Sequence, residues 1–228
     1  MSPVAAATPL SIPVSETAGA VSGLLCLPDG ARVLYVLAHG AGAGMRHPFM
    51  ERISLVLAQR NVATLRFQFL YMEKQQRRPD PPAVAVAAVR AAVTAAGQAA
   101  PGLPLVAGGK SFGGRMTSTA QAAAPLPGVR GLVFLGFPLH PPGNPGVTRA
   151  EHLKDVQVPM LFLQGDRDEF AEPILLRQVL RGLGAGATLH IVKDGDHSFN
   201  VPKRSGRGPD DVAAELADTL LQWWESIQ

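Results

Sequence analysis

The stretch Gly109-Lys110-Ser111-Phe112-Gly113 decides the fold that this chain is expected to adopt. Residues 103–107 form a short apolar run that predicts a buried strand, and residues 115–124 form a run of small residues that predicts a helix. A serine at such a tight strand-to-helix turn is held in a strained conformation that exposes its hydroxyl, and the glycines let two backbones pass closely. Ser111 is therefore the candidate nucleophile.

Two later segments supply partners for this serine. Residues 158–165 predict a strand that ends in Asp166-Arg167-Asp168, and residues 188–192 predict another strand, followed by a loop that contains His197. Nucleophile, acid and histidine each follow a strand, in the chain order that is typical of α/β-hydrolases. Asp166 and Asp168 lie beyond the same strand, so their position alone leaves open which of them is the acid.

A glycine-rich loop after another strand predicts the second half of an oxyanion hole. The apolar run 33–38 is typical of a central parallel strand, and His39-Gly40-Ala41-Gly42-Ala43-Gly44 follows it. Acyl transfer needs two N–H donors aimed at the developing oxyanion, and in this fold we expect them from Ala41 and Phe112. We expect His39 to hold this turn by hydrogen bonding rather than to react.

The same glycines do not fit a nucleotide site. A P-loop ending at Gly109-Lys110-Ser111 needs a glycine at position 104, where Pro104 stands inside the predicted strand. A dinucleotide fingerprint that begins at Gly40 needs a glycine at position 45, where Met45 stands. We therefore expect no cofactor, and because no His, Asp or Glu grouping has zinc spacing, no metal.

The alternation of predicted elements indicates the fold class. Strands and helices alternate along residues 1–228, which predicts one α/β-hydrolase domain: a doubly wound, mostly parallel, eight-stranded sheet with helices on both faces. Only residues 136–148 separate the sixth strand from the next helical segment, which is too short for a lid. We expect an open, shallow cleft edged by Phe112, with Phe137, Leu139 and Phe199 as substrate contacts.

The composition bears on which partners and which cellular compartment we expect for this protein. The 228 residues include 21 basic and 18 acidic side chains, a net charge of +3, with no nucleic-acid-binding module, so no nucleic-acid partner is expected. Cys26 is the single cysteine, in an apolar run. The first ten residues lack a secretory signal, and the alanine-rich segment 83–100 predicts a sheet-covering helix rather than a membrane span. We expect a cytoplasmic protein, bacterial by its Ala, Gly, Pro and Arg bias.

Several segments around these motifs share their pattern with one group of small hydrolases. They are Leu37-Ala38-His39-Gly40-Ala41-Gly42, His47-Pro48-Phe49-Met50, Tyr71-Met72-Glu73-Lys74, Gly108-Gly109-Lys110-Ser111-Phe112-Gly113-Gly114-Arg115, Pro138-Leu139-His140-Pro141-Pro142-Gly143 and Gly195-Asp196-His197-Ser198. The chain thus resembles the α/β-hydrolases of the testis-expressed-30 and non-specific-lethal-subunit-3 group. The resemblance implies a lidless serine-hydrolase fold, and its Gly165-x-x-Asp168 spacing favours Asp168 as the acid. Lys110 and Phe112 stand where relatives often have Arg and Met, and these differences affect the expected shape of the pocket but not the triad.

These observations predict a serine hydrolase that cleaves an ester or related acyl bond of a small soluble substrate. Ser111, His197 and Asp168 would form the catalytic triad. Some relatives in the resembling group serve as scaffold subunits, which implies the alternative of a catalytically silent interaction protein. The oligomeric state is left open by the sequence.

Overall fold

The strands at the start of the chain form an antiparallel edge. In the computed structural model, which describes residues 6–228, β1 (Thr8–Ser15) pairs antiparallel with β2 (Gly19–Cys26). Strand β2 then pairs antiparallel with β4 (Val62–Phe67). Residues 1–5, which belong to the predicted domain, lie outside the described residues.

All remaining strand pairs are parallel. The other strands are β3 (Val33–Ala38), β5 (Leu105–Lys110), β6 (Val129–Leu135), β7 (Met160–Gly165) and β8 (Ala187–Val192). The order across the sheet is β1-β2-β4-β3-β5-β6-β7-β8. Both neighbours of β3 and β5 are parallel, and the carboxyl ends of these central strands lie at one edge. The predicted eight-stranded, mostly parallel sheet is therefore confirmed.

Helices cover both faces of the sheet. They are α1 (Pro48–Ala58), α2 (Leu70–Glu73), α3 (Pro82–Ala99), α4 (Phe112–Ala123), α5 (Pro173–Leu183) and α6 (Pro209–Ser226). Buried residues of α3, α4 and α5 belong to one core cluster, and those of α1 and α6 belong to another. Strand β3 contributes to both clusters because successive side chains of a strand point to opposite faces.

The alanine-rich helix α3 packs against the sheet. Its buried residues recur every three or four positions, which gives one apolar stripe along the helix. They are Ala85, Ala88, Val89, Ala92, Val93 and Ala96. By length and composition, α3 is the one helix of residues 6–228 that could cross a membrane, with a mean hydropathy of 1.2. Its stripe belongs to the larger core cluster, which is the arrangement of a sheet-covering helix.

No lid follows the sixth strand. Between β6 and β7 the structure has a loop and one 3₁₀ helix, Thr148–Asp155. The carboxyl ends of the central strands are therefore left accessible on this side, as the short spacing predicted.

Candidate active site

The turn between β5 and α4 holds Ser111 in an unusual conformation. Its φ of 48° and ψ of −113° lie in a region that L-residues rarely adopt. The glycines explain how such a turn fits: a Cβ on Gly109, where φ is 146°, would lie 2.1 Å from the Ala38 carbonyl oxygen. A Cβ on Gly113 would lie 2.6 Å from the same atom. The motif thus lets α4 start directly against β3 and lifts the serine above the strand edge.

His197 and Asp168 meet Ser111 at this edge. The Nε2 atom of His197 lies 2.8 Å from Ser111 Oγ, and its Nδ1 atom lies 2.7 Å from Asp168 Oδ2. The three predicted residues come together although the histidine is 86 residues from the serine and 29 from the aspartate. They form a continuous hydrogen-bonded chain from carboxylate to hydroxyl, which is the geometry of a nucleophile, a base and an orienting acid.

The nearby carboxylates of Asp166 and Asp196 are placed elsewhere. Asp166 is exposed, whereas the Asp168 side chain is completely buried beside the imidazole. Asp196 uses its Oδ1 atom to accept hydrogen bonds from the backbone N–H groups of Ser198 and Asn200, both at 2.8 Å. Asp196 therefore stabilises the turn that carries His197.

Two residues that the motifs did not predict hold the aspartate and the histidine. Gln164 Nε2 donates to Asp168 Oδ2 at 2.5 Å, and its Oε1 accepts from the Phe137 N–H at 2.9 Å. The Phe170 N–H donates to Asp168 Oδ1 at 2.8 Å, and its ring stacks on the imidazole with centroids 4.1 Å apart. The one sequence signal for Gln164 is that it is a polar residue inside the otherwise apolar strand β7.

The imidazole is set up as a neutral base. Burial lowers the pKa of His197 below its ordinary value, the hydrogen bond to Asp168 opposes this shift, and the charge of Lys110 adds to it. A neutral imidazole whose Nδ1–H is held by a carboxylate presents the unprotonated Nε2 to the serine. This is the form that can accept a proton from the hydroxyl.

The glycine-rich loop after β3 is fixed by His39 and Tyr71. The Phe69 N–H donates to His39 Nε2 at 3.2 Å, so in the neutral ring Nδ1 carries the proton and donates to the Gly40 carbonyl at 2.8 Å. The Gly42 N–H donates to the Tyr71 hydroxyl at 2.8 Å. Burial lowers the pKa of His39 to about 4, which keeps the ring neutral.

This arrangement leaves the predicted oxyanion donors free. Within residues 6–228 no protein acceptor is bonded to the Ala41 N–H or the Phe112 N–H, whereas the neighbouring Gly42 N–H is occupied by Tyr71. Phe112 is the first residue of α4, whose N–H has no partner inside the helix. Gly40 brings the loop close to the serine, since its Cβ would lie 3.9 Å from Ser111 Cβ.

Residues 31–225 match the family described as alpha/beta hydrolase domain. The chain belongs to this family. The match spans the sharp turn at Ser111 (the elbow), the glycine-rich loop and the loops that carry Asp168 and His197.

Solved α/β-hydrolases share the fold over nearly the whole chain. A dienelactone hydrolase from Anabaena variabilis is 21% identical with a TM-score of 0.75, covering 97% of each chain. An α/β serine hydrolase without lid from Xanthomonas campestris is 21% identical with a TM-score of 0.73, covering 96% of this chain and 95% of its own. An esterase domain from Rhodothermus marinus is 16% identical with a TM-score of 0.71, covering 95% and 97%. Likenesses at these identities show the fold.

In this α/β-hydrolase an open cleft of about 600 Å³ lies in front of Ser111. Phe199 lines it as expected and stacks with Phe49, with ring centroids 5.7 Å apart and planes at 13°. These two rings form an apolar wall beside the nucleophile. Ala41 and His197 also line the cleft.

The expectation that Phe137 and Leu139 contact substrate needs correction. Both side chains are fully buried in the hydrophobic core, and neither lines the cleft. The reason is that the loop after β6 turns inward: the Leu139 N–H donates to the Phe170 carbonyl at 2.8 Å, which draws the loop beneath the Asp168 segment. Phe137 then packs edge to face against Phe134, with centroids 5.2 Å apart.

The ionisable side chains that line the cleft are those of basic residue types. They are His47, Arg52, Lys110 and His197, and no carboxylate joins them among the described lining residues. Arg52 is paired at the rim with the exposed Asp210 at 2.8 Å. The described residues also contain no group of three His, Cys, Asp or Glu side chains that could hold a metal ion.

Proposed function

We propose that this protein is a serine hydrolase that cleaves a carboxylic ester or related acyl bond of a small soluble substrate. The observation that carries the proposal is the hydrogen-bonded chain from Asp168 through His197 to Ser111, with the serine in a strained turn. Strain of this kind costs of the order of 1–3 kcal/mol and is found where function needs it.

The geometry supports a two-stage acyl transfer. The Ser111 oxygen attacks the carbonyl carbon while its proton moves to His197 Nε2, and the carbonyl oxygen becomes an oxyanion held by the Ala41 and Phe112 N–H groups. The bond to the leaving group then breaks, and the imidazolium returns the proton to the departing oxygen. Water repeats the sequence on the acyl-enzyme: its proton goes to the imidazole, the acid is released, and the proton returns to Ser111. Throughout, Asp168 holds the Nδ1–H tautomer and stabilises the imidazolium.

The geometry of the cleft supports the proposal that the substrate is small. It opens directly to solvent, so no lid movement is needed for entry, and we expect short soluble esters to be preferred over long-chain lipids. The Phe49–Phe199 wall supplies an apolar surface for the acyl group. The solved relatives include a protein titled dienelactone hydrolase and a protein titled esterase domain, which is consistent with an ester as substrate.

Catalysis is favoured over the scaffold alternative. The resemblance to the testis-expressed-30 and non-specific-lethal-subunit-3 group remains part of the proposal, and some of those relatives are scaffold subunits. A scaffold has no physical reason to keep a strained serine, a neutral partnered histidine and two unused N–H donors in one place. We propose a cytoplasmic enzyme that acts without a cofactor, a nucleic acid or a membrane.

Covalent labelling of the purified protein tests this proposal. A fluorophosphonate probe should label the protein stoichiometrically, with the label on the peptide that contains Ser111, and p-nitrophenyl esters of increasing acyl length should then rank the acyl preference. Ser111→Ala should abolish labelling and turnover, whereas Ser11→Ala, at an exposed serine of β1, should change neither. A folded protein that neither labels nor hydrolyses any ester or thioester would contradict the proposal and favour the scaffold alternative.

A further inference from the structure

The side chain of Lys110 is buried against the loop that carries His197. Its exposure is 9%, and its Nζ atom donates to the His197 carbonyl oxygen at 2.5 Å. The ammonium lies 5.5 Å from the centre of the Phe199 ring. On the other side it reaches Gly136, where a Cβ would lie 3.0 Å from Nζ and 3.5 Å from Asp168 Oδ2. The ammonium thus occupies a space bounded by the backbone of His197 and by the Asp168 carboxylate.

A buried ammonium in this place needs a physical reason. Lysine is rarely buried without a partner, because removing its charge from water is costly. Among the ion pairs of the described residues none includes Lys110, whose one hydrogen-bond acceptor is the main chain of the base. Its location directly before Ser111 also ties the elbow to the loop that carries His197, across 87 residues of sequence.

That loop is strained on both sides of the histidine. Asp194 has a φ of 61° and Phe199 a φ of 63°, and both are non-glycine residues in the left-handed region. A strained loop persists when the surrounding structure holds it. The Lys110 hydrogen bond holds the main chain of the loop at His197, and the Asp196 turn holds it one residue earlier.

We propose that Lys110 is a positioning residue, whose hydrogen bond fixes the His197 main chain against Ser111 and whose positive charge opposes protonation of the imidazole. This inference rests on the proposed serine-hydrolase function. It assigns to the residue before the nucleophile a role in positioning the base, because its Nζ atom is hydrogen-bonded to the His197 main chain, although the Lys110 side chain also lines the cleft. The effect is to keep His197 unprotonated, and so active, at pH values where the nearby carboxylates would otherwise favour its charged form.

The charges around the imidazole support this role. Asp168 and Asp196 raise the pKa of His197, whereas burial and the Lys110 charge lower it. The groups that act on Lys110 are the same two carboxylates, which oppose the effect of its burial. Burial lowers the pKa of Lys110 to about 8, so that the ammonium form predominates at neutral pH. Removing this one positive charge therefore leaves burial as the effect that still opposes the two carboxylates.

Lys110→Met tests the proposal, because it keeps the length of the side chain and removes both the charge and the donor. We expect the midpoint of the acidic limb of the kcat/KM profile to move to a pH about 1 unit higher, because nearby charges shift a pKa by about 1 unit or more. At pH values below the acidic limbs of both proteins, this shift corresponds to a roughly tenfold lower kcat/KM in the variant. We also expect kcat to fall with little change in KM. Lys110→Arg should restore the acidic limb because it keeps the charge.

Lys193→Met is the matched control, since it removes the same charge from an exposed position near the start of the same loop. Its acidic limb should stay at the wild-type pH, because exposed charges are screened by water and salt. Thermal unfolding of each variant shows whether a loss of activity comes from a loss of stability or from the position of His197. Lys110→Gln replaces Lys110→Met if the methionine variant does not fold. A folded Lys110→Met protein with a lower melting temperature and an unchanged pH profile would overturn the proposal.

Failure of the Lys110 inference can be distinguished from failure of the proposed serine-hydrolase function. If the wild-type protein labels at Ser111 and Lys110→Met leaves the acidic limb in place, only this inference is wrong. If the wild-type protein has no activity, NMR titration of the His197 ring in both proteins still reports the effect of the charge. A His197 pKa that rises in Lys110→Met supports the electrostatic role, and an unchanged pKa overturns it.

Discussion

Replacing Asp168 by asparagine should cost between three and four orders of magnitude in kcat. In the imidazolium form of His197 the two charge centres would be about 4 Å apart, and at an effective dielectric constant of about 20 they attract by about 4 kcal/mol. Loss of this attraction alone corresponds to about 10³-fold in rate. The Nδ1–Oδ2 distance of 2.7 Å and the complete burial of the carboxylate place this pair in the range where that attraction is felt.

The hydrogen bonds around Asp168 add a second cost. Its Oδ1 accepts from the Phe170 N–H, and its Oδ2 faces two donors, Gln164 Nε2 and His197 Nδ1. An asparagine that keeps its oxygen on Phe170 turns its NH₂ group toward both donors. The imidazole then relieves the conflict by moving its proton to Nε2, where it can no longer accept the serine proton. A wrong tautomer accounts for a total loss of about 10⁴-fold in a triad.

The assay is steady-state hydrolysis of a p-nitrophenyl ester, with the fraction of active sites measured by fluorophosphonate labelling. Asp166→Asn is the matched control: the same chemical change two residues earlier, at an exposed side chain, with less than a twofold effect expected. Thermal unfolding must show that both variants are folded. The reasoning is refuted if Asp168→Asn keeps more than about a tenth of the activity, or if Asp166→Asn is the variant that loses it.

Two further predictions concern folding. Gly109→Ala should destabilise the protein by about 3 kcal/mol or more, because its Cβ would lie 2.1 Å from the Ala38 carbonyl oxygen at a φ of 146°. The control is Gly146→Ala, where nothing lies within 4 Å of the added Cβ, and it should change the urea midpoint of unfolding little. Equal urea midpoints for the two variants would contradict the argument. The buried His39, with a native pKa of about 4, binds fewer protons than the unfolded chain between pH 4 and 6.5, so the stability that it contributes is complete above pH 6.5 and falls on acidification. From this group the free energy of unfolding should be about 2 kcal/mol lower at pH 5 than at pH 7, and His39→Asn should show a smaller fall; an equal fall in both proteins would remove His39 as the cause.

Much of this protein was determined by the sequence alone, because the signals are local. The sharp turn at Ser111 needs glycines at fixed offsets, and the parallel strands are buried on both faces, so they read as continuous apolar runs. The order serine, aspartate, histidine after strands β5, β7 and β8 then places all three side chains at one edge of the sheet. Short elements without such a pattern were not predicted, such as helix α2.

The tertiary structure decided what depends on contacts between distant parts of the chain. The strand end cannot show which of Asp166 and Asp168 turns inward; the buried contact with the His197 loop does. The apolar Phe137 suits a cleft and a core equally well, and only the inward course of its loop places it in the core. The ammonium of Lys110 bonds to the His197 carbonyl oxygen because the turn at Ser111 and the His197 loop meet there, a contact that no local pattern along the chain encodes.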